Sequence, residues 1–428
     1  MRLPRLVAVA AILALPSLLP GMVAAWQAAS APPPAFAGAP YAPRSGIAPP
    51  GAEQLTALGR AMFFDKGLSA NGRIACASCH DPAFAFGPSN SAAVQPGVRA
   101  DRRGFRAAPS LRYLHSLPPF TEHHFDNDGD DSMDLGPTGG HTWDGRAGSA
   151  HEQARLPLLA PDEMGNANEE AVVRKLERAP YAAQMRAAFG ADVFADPAQA
   201  FTAATLALEV FQQSPREFYP YSSRYDAVLR GQATLTPREA RGLALFNDPA
   251  KGNCASCHLS SPTPDGAFPL FTDFGHIAIG VPRNEGLPAN DDPRFFDLGL
   301  CGPLRRDFAG KPEAAEYCGR FRTPSLRNVA LRKVFFHNGV VRSLDEAVRF
   351  YATRDTDPRH WYGRDARGRV RRYDDLPSRY HGNVNTEPPF GARPGSGPVL
   401  DETEIGDIVA FLKTLTDADL EPVGKPAR

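Results

Sequence analysis

At 428 residues the chain exceeds the length at which a single hydrophobic core stops growing, so two domains are expected. Its 47 Lys plus Arg nearly balance 48 Asp plus Glu, which removes any electrostatic case for nucleic acid or an anionic membrane surface as a partner. A hydrophobic fraction of 43% is too high for disorder, and 42 prolines with 38 glycines point to long ordered loops between helices.

The chain opens MRLPRLVAVAAILALPSLLPGMVAAWQ, with two arginines, an apolar run and small residues ending in Val23-Ala24-Ala25. This is the pattern of a secretory signal over residues 1–25. An uncleaved anchor is the rival reading, because Leu6 to Ala25 is nearly long enough to span; Pro16, Pro20 and the small-residue end favour cleavage. Export to a periplasm-like compartment follows, where disulfides can form. Residues 26–50 read as a proline-rich tether, and no later stretch is apolar enough to cross a bilayer.

Two stretches of the remaining chain resemble each other. LTALGRAMFFDKGLSANGRIACASCH precedes and includes one CASCH pentapeptide, and LTPREARGLALFNDPAKGNCASCH the other. Each is an amphipathic helix carrying a glycine and a phenylalanine, followed by a loop and the pentapeptide. PAQAFTAATLALEVFQQS (near residues 197–214) and DETEIGDIVAFLKTLT (near 401–416) close the two halves, with apolar residues at helical spacing. The fold class expected is mainly α: two tandem cytochrome c-like domains with long loops, residues 51–225 and 226–428, joined around FYPYSSRYDAVLRGQATLTP. No strand-helix alternation and no glycine-rich phosphate loop appears. Asp126, Asp128 and Asp130 suggest a calcium loop, but its glycine and final glutamate are missing, so a solvated acidic loop is expected there.

CASCH occurs at Cys76, Cys79 and His80 and again at Cys254, Cys257 and His258. Two thiols three positions apart can add to the two vinyl groups of one porphyrin, and the adjoining histidine then lies under the iron. A redox CxxC pair or half a zinc site would leave the histidine after both pairs unexplained. Two covalent c-type haems are therefore expected. The other cysteines, Cys301 and Cys318, flank an 18-residue segment, CGPLRRDFAGKPEAAEYC, and should close it with a disulfide in an oxidising compartment.

With two haem sites in place, HTWDGRAGSAHEQARLPLLAPDEMGN, FRTPSLRNVALRKVFFHNG and SLDEAVRFY together resemble the bacterial dihaem cytochrome c peroxidase and MauG superfamily, over about residues 51 to 418. The resemblance implies a periplasmic haem enzyme in which hydrogen peroxide meets the His80 haem. Trp143 would lie between the haems. Glu163 matches the family's distal carboxylate, able to move a proton between peroxide oxygens, with Gln153 as its polar neighbour. The loop QPGVRADRRGFRAAPSL has Val98 and Arg99 where many members supply a histidine to the first iron, which implies an open position. His115, His123, His124 or His141 could still fold in to supply it. Members often hold calcium between the haems. Here Ala107 and Arg332 stand at two of its positions, and a guanidinium could replace the ion's charge, which argues against calcium.

Tyr351 shares a helical face with Leu344, Ala347 and Val348 and on spacing alone reads as core. By position it falls where dihaem peroxidases carry a methionine ligand to the second haem and MauG carries tyrosine, so the resemblance implies His258 and Tyr351 as its two ligands. The implied function is MauG-like: reaction with peroxide, a high-valent dihaem state, and oxidation of a residue on a partner protein. The region from CGP to RDTDPRHWY is most similar to MbnH-type enzymes linked to secreted copper-binding partners, whose target is tryptophan. The alternatives are a peroxidase fed by a small cytochrome or copper protein, and a pure electron-transfer cytochrome, which an open first haem argues against. A MauG-type hole-hopping tryptophan before the second haem is missing, with Gly252 near its place.

Overall fold

The computed structural model describes residues 49–125 and 134–420. The signal expected over residues 1–25, the tether through residue 48 and the acidic loop at Asp126–Asp130 lie outside them. Helices and long loops dominate. Among the described residues the only paired strands are two short antiparallel ones, β1 (His276–Ile277) and β2 (Phe321–Arg322). No helix among them is long and apolar enough to cross a membrane.

The helices begin where the sequence provides caps. Helix α1 (Ala52–Phe63) buries Leu55, Leu58, Met62 and Phe63 along one stripe. Helix α2 (Ala150–Leu159) starts at Ser149, whose side chain accepts a hydrogen bond from the Glu152 amide. Helix α3 (Pro197–Gln212) starts on Asp196, which accepts from the Ala198 and Gln199 amides, with Pro197 at the first turn. Helix α4 (Pro237–Asn247) opens with a capping box between Thr236 and Glu239, α5 (Leu344–Thr353) with Ser343, and α6 (Glu402–Lys413) with a box between Asp401 and Glu404. The two closing helices are two to three residues shorter at their C-terminal ends than the apolar pattern suggests, because helix ends fray where packing stops.

Two helix crossings organise the chain: α1 packs on α3, and α4 on α6. Each is a close approach that only glycine permits. A Cβ on Gly59 would stand 1.9 Å from the Ala207 carbonyl oxygen, and one on Gly242 would stand 2.0 Å from that of Asp407. Beside each crossing lies a cluster of four rings. Phe63, Phe86, Phe211 and Phe218 form the first, with Phe86 stacked on Phe218 at 4.1 Å. Phe246, Phe271, Phe411 and Tyr225 form the second, with Phe246 and Phe411 edge to face at 5.4 Å.

Buried charge ties residues far apart in the chain. Tyr113 donates to Asp417 at 2.6 Å, Arg112 reaches Asp417 and Asp419, and Arg327 makes a bidentate pair with Asp226 at 2.9 and 3.0 Å. Cys301 and Cys318 are joined in a disulfide with Cα atoms 5.0 Å apart, inside a small core with Leu300, Phe308 and Tyr317.

Because the two carbonyls belong to helix backbone and cannot yield locally, Gly59→Ala and Gly242→Ala should each destabilise the protein by about 1–3 kcal/mol through forced separation of the crossing helices. Thermal and denaturant unfolding of the haem-loaded variants measures this, and an unchanged midpoint in both would contradict the close crossing.

Candidate functional site

The first pentapeptide forms a one-turn helix, Cys76–Cys79, with His80 at its end; Ser78 Oγ accepts from the Ala75 amide at 2.9 Å and the His80 amide donates to the Cys76 carbonyl at 2.9 Å. The His80 ring is held by Nδ1, 2.9 Å from the Phe86 carbonyl oxygen. The second pentapeptide forms a turn at Cys254–Ser256, and His258 Nδ1 lies 2.8 Å from the Phe271 carbonyl oxygen. A carbonyl only accepts, so in both rings Nδ1 carries the proton and Nε2 keeps its lone pair. Burial lowers the pKa of both rings, which keeps them neutral as an iron ligand must be. Phe86 and Phe271 have positive φ (53° and 55°), a conformation that costs a non-glycine residue about 1–2 kcal/mol and that the ring clusters must offset.

Each pentapeptide faces a cavity. The first, about 1490 Å³ including space open to solvent, is lined by Cys76, Cys79, His80, Gln153, Glu163 and Trp143. The turn after α2 carries Glu163 there: its amide donates to Ala160 at 3.0 Å, and its carbonyl accepts from the Val98 amide at 2.8 Å. Gly97 lies against the same turn, where a Cβ would stand 1.9 Å from the Asp162 carbonyl oxygen. The Glu163 side chain is exposed and lines the cavity. The surrounding protein, with a smaller contribution from Asp162 and against the pull of Arg146, pushes its carboxyl up to about 7.

The second cavity, about 2230 Å³ counted the same way, is lined by Cys254, Cys257, His258, Tyr351, Phe336 and Phe390. The α5 face read as core (Leu344, Ala347, Val348 and Tyr351) lines it. Tyr351 stacks on Phe390 at 5.4 Å, and among the described residues its hydroxyl has no hydrogen-bond partner. Burial raises the Tyr351 pKa above the ordinary tyrosine value, and the Cys257 and Cys254 thiols add to the shift. Trp143 lines both cavities, its Nε1 donating to the Ala107 carbonyl at 2.7 Å.

These features fit haem. Burial pushes the Cys76 thiol up to about 12, Cys79 to about 11 and Cys254 to about 12, the reverse of the lowered pKa that a redox-active CxxC pair needs. Two neutral histidines with free Nε2 atoms, beside paired thiols and apolar walls, match a covalently held porphyrin. Of the four additional histidines considered from sequence, His115, His123 and His124 do not line the first cavity. His141 does, on the Trp143 wall, and burial together with Arg322 pushes its pKa down to about 4. Arg332 and Gly252 line the second cavity. Sequence reading missed the Phe86 and Phe271 carbonyls, which carry no residue-type signal, and Arg322, which lines both cavities from β2.

Comparison with known proteins agrees with this geometry. The family model for di-haem cytochrome c peroxidase matches residues 53–234. The methylamine utilization protein MauG of Paracoccus denitrificans is 34% identical over 400 residues, covering 89% of this chain and 92% of that one. The crystal structure of the diheme peroxidase BthA from Burkholderia thailandensis aligns at 45% identity and TM-score 0.76, covering 91% of this chain and 92% of that one. A MauG-like protein associated with microbial copper homeostasis aligns at 29% identity and TM-score 0.60, covering 88% of this chain and 95% of that one. The chain belongs to the dihaem cytochrome c peroxidase and MauG superfamily and is a haem peroxidase-type oxidoreductase.

Proposed function

We propose that this is a periplasmic MauG-like enzyme that uses hydrogen peroxide to oxidise a residue, read as tryptophan, on a partner protein. Its two haem-binding halves are residues 51–225 and 226–428. Cys76 and Cys79 would hold the first haem by thioethers, with His80 as an iron ligand; Cys254 and Cys257 would hold the second, with His258 and Tyr351 as its iron ligands. When bound, the haems supply the site of peroxide cleavage and the store for its two oxidising equivalents. The observation that carries the MauG-like reading is the Tyr351 hydroxyl, without a protein partner in the cavity that holds His258. Its raised pKa means that a cation's charge is needed to displace the proton, and a phenolate would stabilise oxidised iron over reduced iron. A second haem ligated in this way is a poor acceptor for electrons from a soluble donor. Trp143, in the wall common to both cavities, is the route between them.

The Glu163 carboxylate takes the proton from one peroxide oxygen and returns it to the other, so that water leaves rather than hydroxide. Gln153, in the same cavity, orients the peroxide. Val98, in the loop against the Glu163 turn, would leave the iron held by His80 accessible to peroxide. The partner class is a secreted protein, with a copper-binding one suggested by the neighbour associated with copper homeostasis. The second reading, a peroxidase draining electrons from a small cytochrome or copper protein, is favoured by the similarity to BthA, a diheme peroxidase.

Two measurements test this. The base form of Glu163 starts proton transfer, so the rate of reaction with peroxide should rise with pH through about 7. Glu163→Gln should flatten that profile and slow the reaction about 10²–10⁴-fold with both haems retained. Unchanged stopped-flow kinetics would assign proton movement to another group. Tyr351→Phe should change the second haem's ligand-field spectrum and abolish oxidation of the partner, while Tyr351→Met should raise that haem's midpoint potential. If Tyr351→Phe leaves spectrum and potential untouched, Tyr351 is a wall residue and the peroxidase reading stands.

A further inference from the structure

The wall between the two cavities contains positive charge that the protein does not balance. Arg322 is 5% exposed; its Nε donates to the Thr142 carbonyl at 3.2 Å, and its Nη1 is buried with no hydrogen-bond partner. Among the described residues, the other arginines as deeply buried are Arg112, Arg155, Arg283, Arg305, Arg327 and Arg354, and each meets a carboxylate. Arg322 meets none. Arg332 is the second case. Its Nε and Nη2 each lie 3.3 Å from a backbone carbonyl oxygen, of Val334 and Ala108, and no carboxylate pairs with it.

Both guanidinium groups are pushed down to about 10 by burial, with no opposing counter-charge. Arg322 lines both cavities and its charge depresses the pKa of His141 and His276; Arg332 lines the second cavity and its charge reaches His80. Two acids of this region are already engaged: Asp144 meets Arg106 and Arg146, and Asp297 meets Arg106. A buried guanidinium without an anion is costly, and its planar fork suits a carboxylate. The occupant of this wall must therefore bring negative charge from the cavities.

We propose that Arg322 and Arg332 are the carboxylate receptors of the two cofactors: haem propionates turn inward to the shared wall, Arg322 pairing with a propionate of each haem and Arg332 with one of the second. The inference rests on the reading that both cavities hold haem. It makes the two arginines positioning residues that also set potential, since a cation beside the propionates favours the reduced haem, and it couples the two haems through one guanidinium beside Trp143.

The test uses the haem-loaded protein, with two haems per chain verified by the pyridine haemochrome assay. Redox titrations at several pH values are combined with redox-difference infrared spectra of haem carrying ¹³C-labelled propionate carboxyls. Arg322→Met should lower the midpoint potential of both haems, and Arg332→Met mainly that of the second. In each variant the midpoint should acquire a pH dependence across the neutral range, falling as pH rises, because the released propionate now takes up a proton on reduction. Arg322→Lys, which keeps the charge, should keep the wild-type midpoints and their flat pH profile. The labelled carboxylate bands should shift in both Met variants. Midpoints that fall while the labelled bands stay fixed would show charge acting through space and overturn the pairing, as would midpoints that do not move. If Arg322→Met does not fold, labelled bands of protonated carboxylic acid in the wild type at neutral pH overturn the proposal, and ionised bands that shift in Arg332→Met support it. Peroxide kinetics do not enter these readouts, so failure of the MauG-like reading and failure of this one are separately visible.

Discussion

The glycine-mediated contact between the first and last helix of each half is the constraint on which the rest of the structure depends. With Gly59 against Ala207 and Gly242 against Asp407, the helix backbones touch, and the rings beside them close into a cluster. One ring of each cluster, Phe86 or Phe271, also provides the carbonyl that holds the neighbouring histidine. Helix packing and ligand orientation are thus one mechanical unit. Moving the helices apart would loosen the ring cluster, release the strained phenylalanine and free the imidazole to rotate away from its ligating direction.

Around the Trp143 loop, buried charge and backbone hydrogen bonds hold the chain in place. Asp144, directly after Trp143, is fully buried; burial alone would raise its pKa, but Arg106 and Arg146 hold it below the usual carboxylate range. Arg305 donates to the Asp144 carbonyl at 2.9 Å, and the Arg322 amide donates to the Trp143 carbonyl at 2.8 Å. The Trp143 loop is therefore clamped on its backbone and at its neighbour's side chain, leaving the indole one orientation. Buried ion networks of this kind contribute modestly to stability, but they resist rearrangement, because breaking one pair strands a charge. In the proposed role of Trp143 as the route between two haems, that fixity matters more than net stabilisation.

The same low-dielectric setting gives the titratable groups distinct tasks. The carboxyl of Glu163, which lines the first cavity, is pushed up to about 7, and the hydroxyl of Tyr351, in the second, is pushed above the ordinary tyrosine value. Burial lowers the pKa of His80 and His258 and raises that of the four pentapeptide thiols. Burial, not a specific partner, is the leading cause in each case. The chemistry of the site therefore follows largely from how deeply each residue type is placed.

The sequence by itself determined the local features. The repeated CASCH, the caps at Asp196, Thr236, Ser343 and Asp401, and the helical stripes are short-range patterns, and they made the mainly helical class and the candidate haem-attachment residues legible. The spacing between Trp143, Gln153 and Glu163 was also readable, because one helix and one turn connect them. Tertiary structure alone decided which residues meet across long separations. On helical periodicity Tyr351 is a core residue; only the packing of α5 against the second cavity puts its face beside Cys254 and His258. Backbone carbonyls have no sequence signature, so the partners of His80 and His258 could not be anticipated. Nor could the isolation of Arg322, because an arginine in a sequence is indistinguishable from its paired neighbours until burial shows which carboxylates are within reach and which charge is left without one.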